Sequence, residues 1–335
     1  MARYNYGGQA VIEGVMMRGR RSAAVALRAP AGGILVHEEP LKARFYTSRI
    51  SQWPFVRGLL LLWDMLVLGT RMMMFAANVS VEGAMQAAED ADPKGDKNTE
   101  SAAPTLAPET AIPGTVVEAN PAGASALGGV SIGFALFFSL AFAIGLFFLL
   151  PLAAVGAAHR WIGVGWQSLV LEGLIRLAIL IAYLAAIGQL PSIKRVFEYH
   201  GAEHKAINAY EAGNPLDVDH VRRASKVHTR CGTGFLLIVV VLSIFVFALV
   251  GHPPLPLLVL SRILLVPVIA AIAYELMRLG AANYRFRVVR WLMAPSLALQ
   301  GLTTREPDAS QMECAIVALE RVLRTDGVAA LNRVA

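Results

Sequence analysis

Four apolar stretches, at 130–150, 168–190, 235–250 and 257–279, constrain this chain more than any other feature. A membrane-crossing helix needs about 20 mostly apolar residues, and each stretch predicts a helix whose solvent is lipid. The third is the shortest, but Gly251 followed by Pro253 and Pro254 marks a tight turn, so it reads as one arm of a helical hairpin with the fourth. Composition agrees. The chain is 56% hydrophobic and only 16% charged, with a mean hydropathy of +0.54, whereas soluble domains carry about a quarter charged residues. An ordinary soluble enzyme is excluded.

A fifth stretch, 59–79, is long enough to span but carries Asp64 and Arg71, with Arg57 at its start. Charge decides between the topologies. Nine Lys/Arg residues lie in the chain up to Arg57 and seven lie between 191 and 232, while Arg278, Arg285, Arg287 and Arg290 close the last apolar stretch. The segment 151–167 holds only Arg160, and 251–256 holds no basic residue. Four crossings with both termini in the cytoplasm put every basic segment on the positive side, whereas a fifth would force the 191–232 loop outside. The expectation is an interfacial or re-entrant helix at 59–79. The formal charge of +6 is then explained by membrane orientation, and nucleic acid is not an expected partner.

The predicted fold is mainly α: a polytopic membrane helical bundle of about four spans plus the interfacial or re-entrant helix, with a small N-terminal β element and cytoplasmic helices. Residues 1–57 form a cytoplasmic β-containing region, in which 23–28 and 33–38 are β-prone runs around the turn Ala29-Pro30-Ala31-Gly32. Arg18, Arg20 and Arg21 interrupt the N-terminus, so no cleaved signal peptide is expected. The interfacial helix occupies 58–82. Residues 83–128 read as a disordered linker, rich in Ala, Pro, Glu, Asp, Thr and Gly and nearly free of aromatics. Transmembrane hairpins at 129–190 and 233–280 flank a cytoplasmic loop at 191–232, and 281–335 forms a helical tail in which Met312, Ile316, Leu319 and Leu323 recur at helical spacing.

The chemistry concentrates in that loop. Pro191-Ser192 opens a helix that Gly213 ends, and within it His200, Glu203 and His204 form an H-x-x-E-H string. On a helix the two histidines lie one turn apart on one face, so both can reach one cation, with Glu203 beside them as a base. His228 and Cys231 stand three apart just before the third span, a zinc-ligand spacing on the same side of the membrane. Glu275 lies in the last span toward that side, where an acid needs a cation partner, and Glu211 falls two turns after His204. The reading is a zinc site, or one for another divalent metal, with Glu203 catalytic and His200, His204, His228 and Cys231 as ligands. Glu275 and Glu211 are further candidates. Glu172 and Arg176, four apart inside the second span, read as a structural ion pair.

The segment Gly7-Gly8-Gln9-Ala10-Val11-Ile12-Glu13-Gly14-Val15-Met16-Met17-Arg18-Gly19 resembles the opening signature of the YqhQ-type family of bacterial membrane proteins. The resemblance continues through Tyr199 to Lys205, Asn208 to Glu211, His228 to Phe235 and Leu302 to Pro307, which leaves out little besides the linker. Thr229 stands where that family's motif has Pro. The resemblance implies a multi-pass protein of the bacterial inner membrane, of a family labelled a domain of unknown function and a predicted metal-dependent enzyme. It also adds Gln9, Glu13 and Arg18, polar groups in a glycine-rich stretch that either line a pocket over the site or cap local structure.

Two functions follow as expectations. The first is a zinc-dependent hydrolase at the cytoplasmic membrane face, acting on a membrane-protein peptide bond or a lipid-derived ester or amide. The alternative is a non-enzymatic scaffold or assembly factor whose zinc is closed by four protein ligands. A transporter is weakened by the scarcity of polar residues in the spans beyond Glu172, Arg176, Arg262 and Glu275.

Overall fold

The computed structural model of the chain describes residues 6–29, 33–41, 53–91, 116–118, 129–163, 165–251 and 253–328. Strands β1 (Gly7–Val11), β2 (Gly14–Arg18), β3 (Ser22–Arg28) and β4 (Ile34–Pro40) form an antiparallel meander, in which β3 and β4 are the hairpin expected from their β-prone runs. Helix α1 (Val56–Ala91) follows, and then β5 (Val116–Glu118), which adds to β4 in parallel. Most of the expected linker lies outside the described residues; within it, 83–91 continue α1 and 116–118 are β5.

The membrane-type helices come next. Helix α2 (Gly129–Ile144) passes through a π-helical turn, Gly145–Leu149, into α3 (Leu150–Ile162), and α4 (Trp166–Ile187) returns. Helix α5 (Pro191–Glu211) and the short α6 (Val218–Arg223) lead into the hairpin of α7 (Gly232–Val250) and α8 (Leu255–Ala282). Helices α9 (Arg287–Thr303) and α10 (Ala309–Thr325) are the last among the described residues. Among the described residues, five helical segments are long and apolar enough to cross a membrane, one of them Val56–Ser80 in α1. Phe137, Leu249, Ile263 and Leu264 expose large apolar surfaces, and all five tryptophans are exposed. Such rings collect where lipid meets water.

The sheet is covered on both faces, which is why its central strands β2 and β3 are mostly apolar and almost wholly buried rather than alternating. Alternation along β3 sends Ala24 and Ala26 toward α5 and α10, while Ala23, Val25 and Leu27 pack on Leu68, Met72, Phe75 and Ala76 of α1. Small residues on the first face let α10 approach closely. Helix α1 carries 36 residues, about 54 Å at the usual rise, against a hydrocarbon layer of about 30 Å. Its start is held on α8, where Arg57 pairs with Glu275 and Gly58 lies against the Tyr274 ring. Its middle lies on the sheet, and chain on either side of it, in β4 and β5, shares that sheet.

Between α4, α7 and α8, Glu172 pairs with Arg176 at 2.5 Å and with Arg262 at 3.3 Å. The expected ion pair is thus one part of a triad. The π-helical turn presents the Phe147 carbonyl to Arg176 Nε at 2.9 Å, so even the excess cation is partly satisfied.

The sheet and α10 are also clasped by charge. Glu38 accepts from Arg321 Nε at 2.6 Å and Thr325 Oγ1 at 2.5 Å. Burial raises its pKa, but the hydrogen bonds from Thr325 and Arg321 and the Arg321 charge help to outweigh that and hold it below the usual glutamate value. A depressed carboxyl stabilises the fold above its unfolded pKa, about 4.3 for glutamate, and that contribution vanishes as pH falls through the folded value. Glu38→Gln is therefore expected to be less stable than wild type at pH 7, with the difference shrinking below about pH 4, as denaturant melts at both pH values will show.

Candidate metal centre

Helix α5 begins with Pro191 in its first turn, where no amide donor is needed, and ends before Gly213 at φ 77°. Its inner face carries His200, Glu203 and His204. Gly201 sits directly against the segment after α9: a Cβ there would lie 2.0 Å from the Arg305 carbonyl oxygen, a backbone atom that cannot swing aside. Gly201→Ala is accordingly expected to cost about 1–3 kcal/mol by overpacking and to lower the melting temperature, whereas Gly232→Ala, with open space around it, is not.

The second pair of site residues arrives because the loop after α6 is fastened to α5. Lys205 Nζ donates to the Arg222 carbonyl at 2.7 Å, and Asn208 Nδ2 donates to the carbonyls of Ser225 and Val227 at 2.7 and 2.9 Å. Beyond them, the His228 amide donates to Gln300 Oε1 at 3.0 Å and the Gln300 amide returns to the His228 carbonyl at 2.8 Å. Cys231 then caps α7, its Sγ accepting from Thr233 N–H. Thr233 and Thr303 join α7 to α9 through their hydroxyls, 3.0 Å apart.

Three side chains converge. Ligand atoms of His200, His204 and Cys231 all lie within 4.8 Å of one another, and this is the one such group among the described residues. Cys231 Sγ is 3.4 Å from His200 Nε2. Each imidazole is oriented from behind: His200 Nδ1 is 2.9 Å from the Thr303 carbonyl oxygen, and His204 Nδ1 is 2.7 Å from that of Lys226. A carbonyl only accepts, so Nδ1 donates in both rings and each Nε2 keeps its lone pair for the centre.

His228 packs its ring 5.6 Å from that of His204 but is not one of the three converging donors. Its buried Nε2 makes no hydrogen bond but lies 3.6 Å from Glu211 Oε2, within ion-pair reach. Burial lowers the His228 pKa. Burial also raises that of Glu211, but His228 and Arg230 outweigh it and hold the carboxylate below its usual range. Glu203 is buried: desolvation pushes it up to about 7, opposed by His200 and by the Gly8 backbone N–H. It stands beside the three donors and is not one of them.

The remaining sequence candidates have other partners. Glu275 does not join the cluster, because Arg57 and the Phe55 amide take its carboxylate. Glu13, at φ 55°, holds Arg195 of α5 at 2.5 Å, Arg18 pairs with Asp64 of α1 at 3.0 Å, and Gln9 lies against Gly69. These three clasp helices to the sheet. Gly8, which carries no side chain at all, is the residue of that segment that meets Glu203; a Cβ there would lie 3.1 Å from its Cδ. Both cysteines are free, and burial raises the Cys314 thiol to about 12, far from thiolate chemistry.

Gln300 and the carbonyls of Thr303 and Lys226 are the site residues that the sequence reading did not single out. Thr303 lies in a segment that carried the family resemblance, but a backbone carbonyl has no residue-specific signal, and one glutamine in an amphipathic helix has little more.

Comparison with known proteins places this geometry. The model of a family described as "Protein of unknown function (DUF1385)" matches residues 53–325. Over 328 residues, 98% of this chain and 95% of the relative, the sequence is 31% identical to the uncharacterized protein YqhQ of Bacillus subtilis (strain 168). No solved structure matches.

Proposed function

The chain belongs to the DUF1385 family of proteins of unknown function, and from the chemistry of its own donor set we propose that it is a membrane-embedded metal-dependent hydrolase. The observation that carries this reading is the pair of carbonyl-fixed imidazoles whose free nitrogens converge with the Cys231 sulfur. Two nitrogens and a sulfur suit zinc, with another divalent metal as the less specific option, and three protein donors leave a coordination position for water or substrate. Zinc bound by His200, His204 and Cys231 would supply Lewis-acid polarisation.

The chain's own residues supply the rest. Glu203, buried beside the three donors, takes a proton from the attacking water and passes it to the leaving group, the work of a positioned general base. The Gly8 N–H holds that carboxylate in place, and the Thr303 and Lys226 carbonyls keep both imidazoles from turning.

The topology we infer is four crossings in the bacterial cytoplasmic membrane, with both termini and the metal centre on the cytoplasmic side. Its support is the basic charge of the 191–232 loop and the shared sheet of β4 and β5, which returns the chain to one side after α1. The substrate is then a peptide bond of a membrane protein or an ester or amide of a lipid.

A second reading has one specific observation behind it. The buried His228 Nε2, which makes no hydrogen bond and has only the Glu211 carboxylate at 3.6 Å, would gain a full partner as a fourth ligand. That would close the coordination and make the centre a structural pin within a scaffold. Elemental analysis of the purified protein tests the donor set common to both. About one zinc per chain is expected in wild type and a large loss in His204→Ala. A metal-free wild type, or a variant with full metal, overturns the assignment.

A further inference from the structure

Strand β1 is the edge of the sheet, and among the described residues nothing pairs with its outer side. In an antiparallel ladder the N–H and C=O of one residue point the same way, and successive residues alternate. The Gly8 N–H goes to Glu203, so Gly8 turns away from β2, and so does Ala10 two positions on. The Gly8 C=O and both main-chain groups of Ala10 thus form a short acceptor-donor-acceptor row beside the acid. The approach is open at the Gly7 end, where Gly7, Gly8 and Gln9 are part-exposed and a Cβ at Gly7 would meet nothing within 4 Å. Ala10, 9% exposed, packs its side chain into the core shared with Tyr199 and Ala202 of α5.

We infer that the outer edge of β1 receives an extended polypeptide segment as an added strand, so that the substrate acted on beside Glu203 is a peptide bond. This rests on the hydrolase reading above and adds its substrate class. An extended peptide repeats donors and acceptors at the spacing of β1, and strand addition is a general mode of peptide capture; an acyl chain has no such groups. In the reaction the amide C–N bond breaks and a C–O bond forms with water. The proton that Glu203 removes from that water ends on the departing amine, so an acid and an amine leave.

The test uses the full-length, zinc-loaded protein in nanodiscs and a peptide library digested from bacterial membrane proteins, with new termini read by mass spectrometry. Wild type is expected to generate termini that Glu203→Gln does not. A cleaved peptide is then resynthesised with single N-methyl amides. Strand pairing predicts a two-residue period, with kcat/KM falling about three- to tenfold at alternate amides, as loss of one hydrogen bond implies. Ala10→Pro removes an outward donor without touching the β1–β2 ladder, and is expected to lower kcat/KM by the same factor at unchanged zinc content. If that variant misfolds, the N-methyl scan on wild type decides alone. A uniform response along the peptide overturns strand pairing. Hydrolysis of an acyl ester in phosphatidylglycerol vesicles without library cleavage overturns the peptide substrate and leaves the hydrolase reading standing. Failure on both substrates at full zinc content overturns both.

Discussion

Glu203→Gln is expected to leave folding and zinc content intact while lowering hydrolysis about 10²–10⁴-fold, the usual contribution of a positioned general base. The amide matches the carboxyl in shape and keeps an oxygen for the Gly8 N–H, but it cannot take a proton. Because Glu203 lies outside the converging donor group, its loss should not release the metal. Activity within about tenfold of wild type would remove Glu203 as the base and favour the structural reading, in which His228 closes the centre. Activity and metal content must be measured on the same preparation, since a structural centre also loses function when its metal goes.

The largest stability effect is expected far from that chemistry. Glu172→Ala leaves Arg176 and Arg262 facing each other among apolar helices without their shared carboxylate, and breaking such a buried pair typically costs about 3–5 kcal/mol. Unfolding in detergent should show it, with Glu172→Gln milder because its amide oxygen still accepts. Removing a cation is expected to cost less than removing the anion that holds two. Arg262→Leu leaves the Arg176 to Glu172 bond at 2.5 Å and the Arg176 bond to the Phe147 carbonyl in place. An Ala variant as stable as wild type would mean that water or lipid headgroups already solvate the two arginines.

These two sites differ in how far the sequence exposed them. Glu172 and Arg176 are four apart, so helix geometry alone pairs them; Arg262, 86 positions beyond Arg176, enters only through the packing of α8 on α4 and α7. Similarly, His200 and His204 share a face by periodicity, whereas their approach to Cys231 depends on Lys205 and Asn208 gripping a loop through its backbone. The β3–β4 hairpin was visible as two β-prone runs. Strands β1 and β2 were hidden in a glycine-rich segment, where Gly8 serves close approach and Glu13 takes a left-handed turn.

Sequence by itself determined what is local or additive: lipid as the solvent of the long helices, the helix bearing His200 and His204, and the charge asymmetry along the chain. Tertiary structure alone decided which charged groups found each other. It gave Glu275 to Arg57, Glu13 to Arg195 and Arg18 to Asp64, and it left Cys231, with no ion-pair partner to claim it, beside the two histidines. The reason is physical. A helix or an apolar run is specified by residues within one or two turns, but a buried polar side chain can be satisfied by any complementary group that packing brings within about 3 Å, including backbone carbonyls that carry no residue identity.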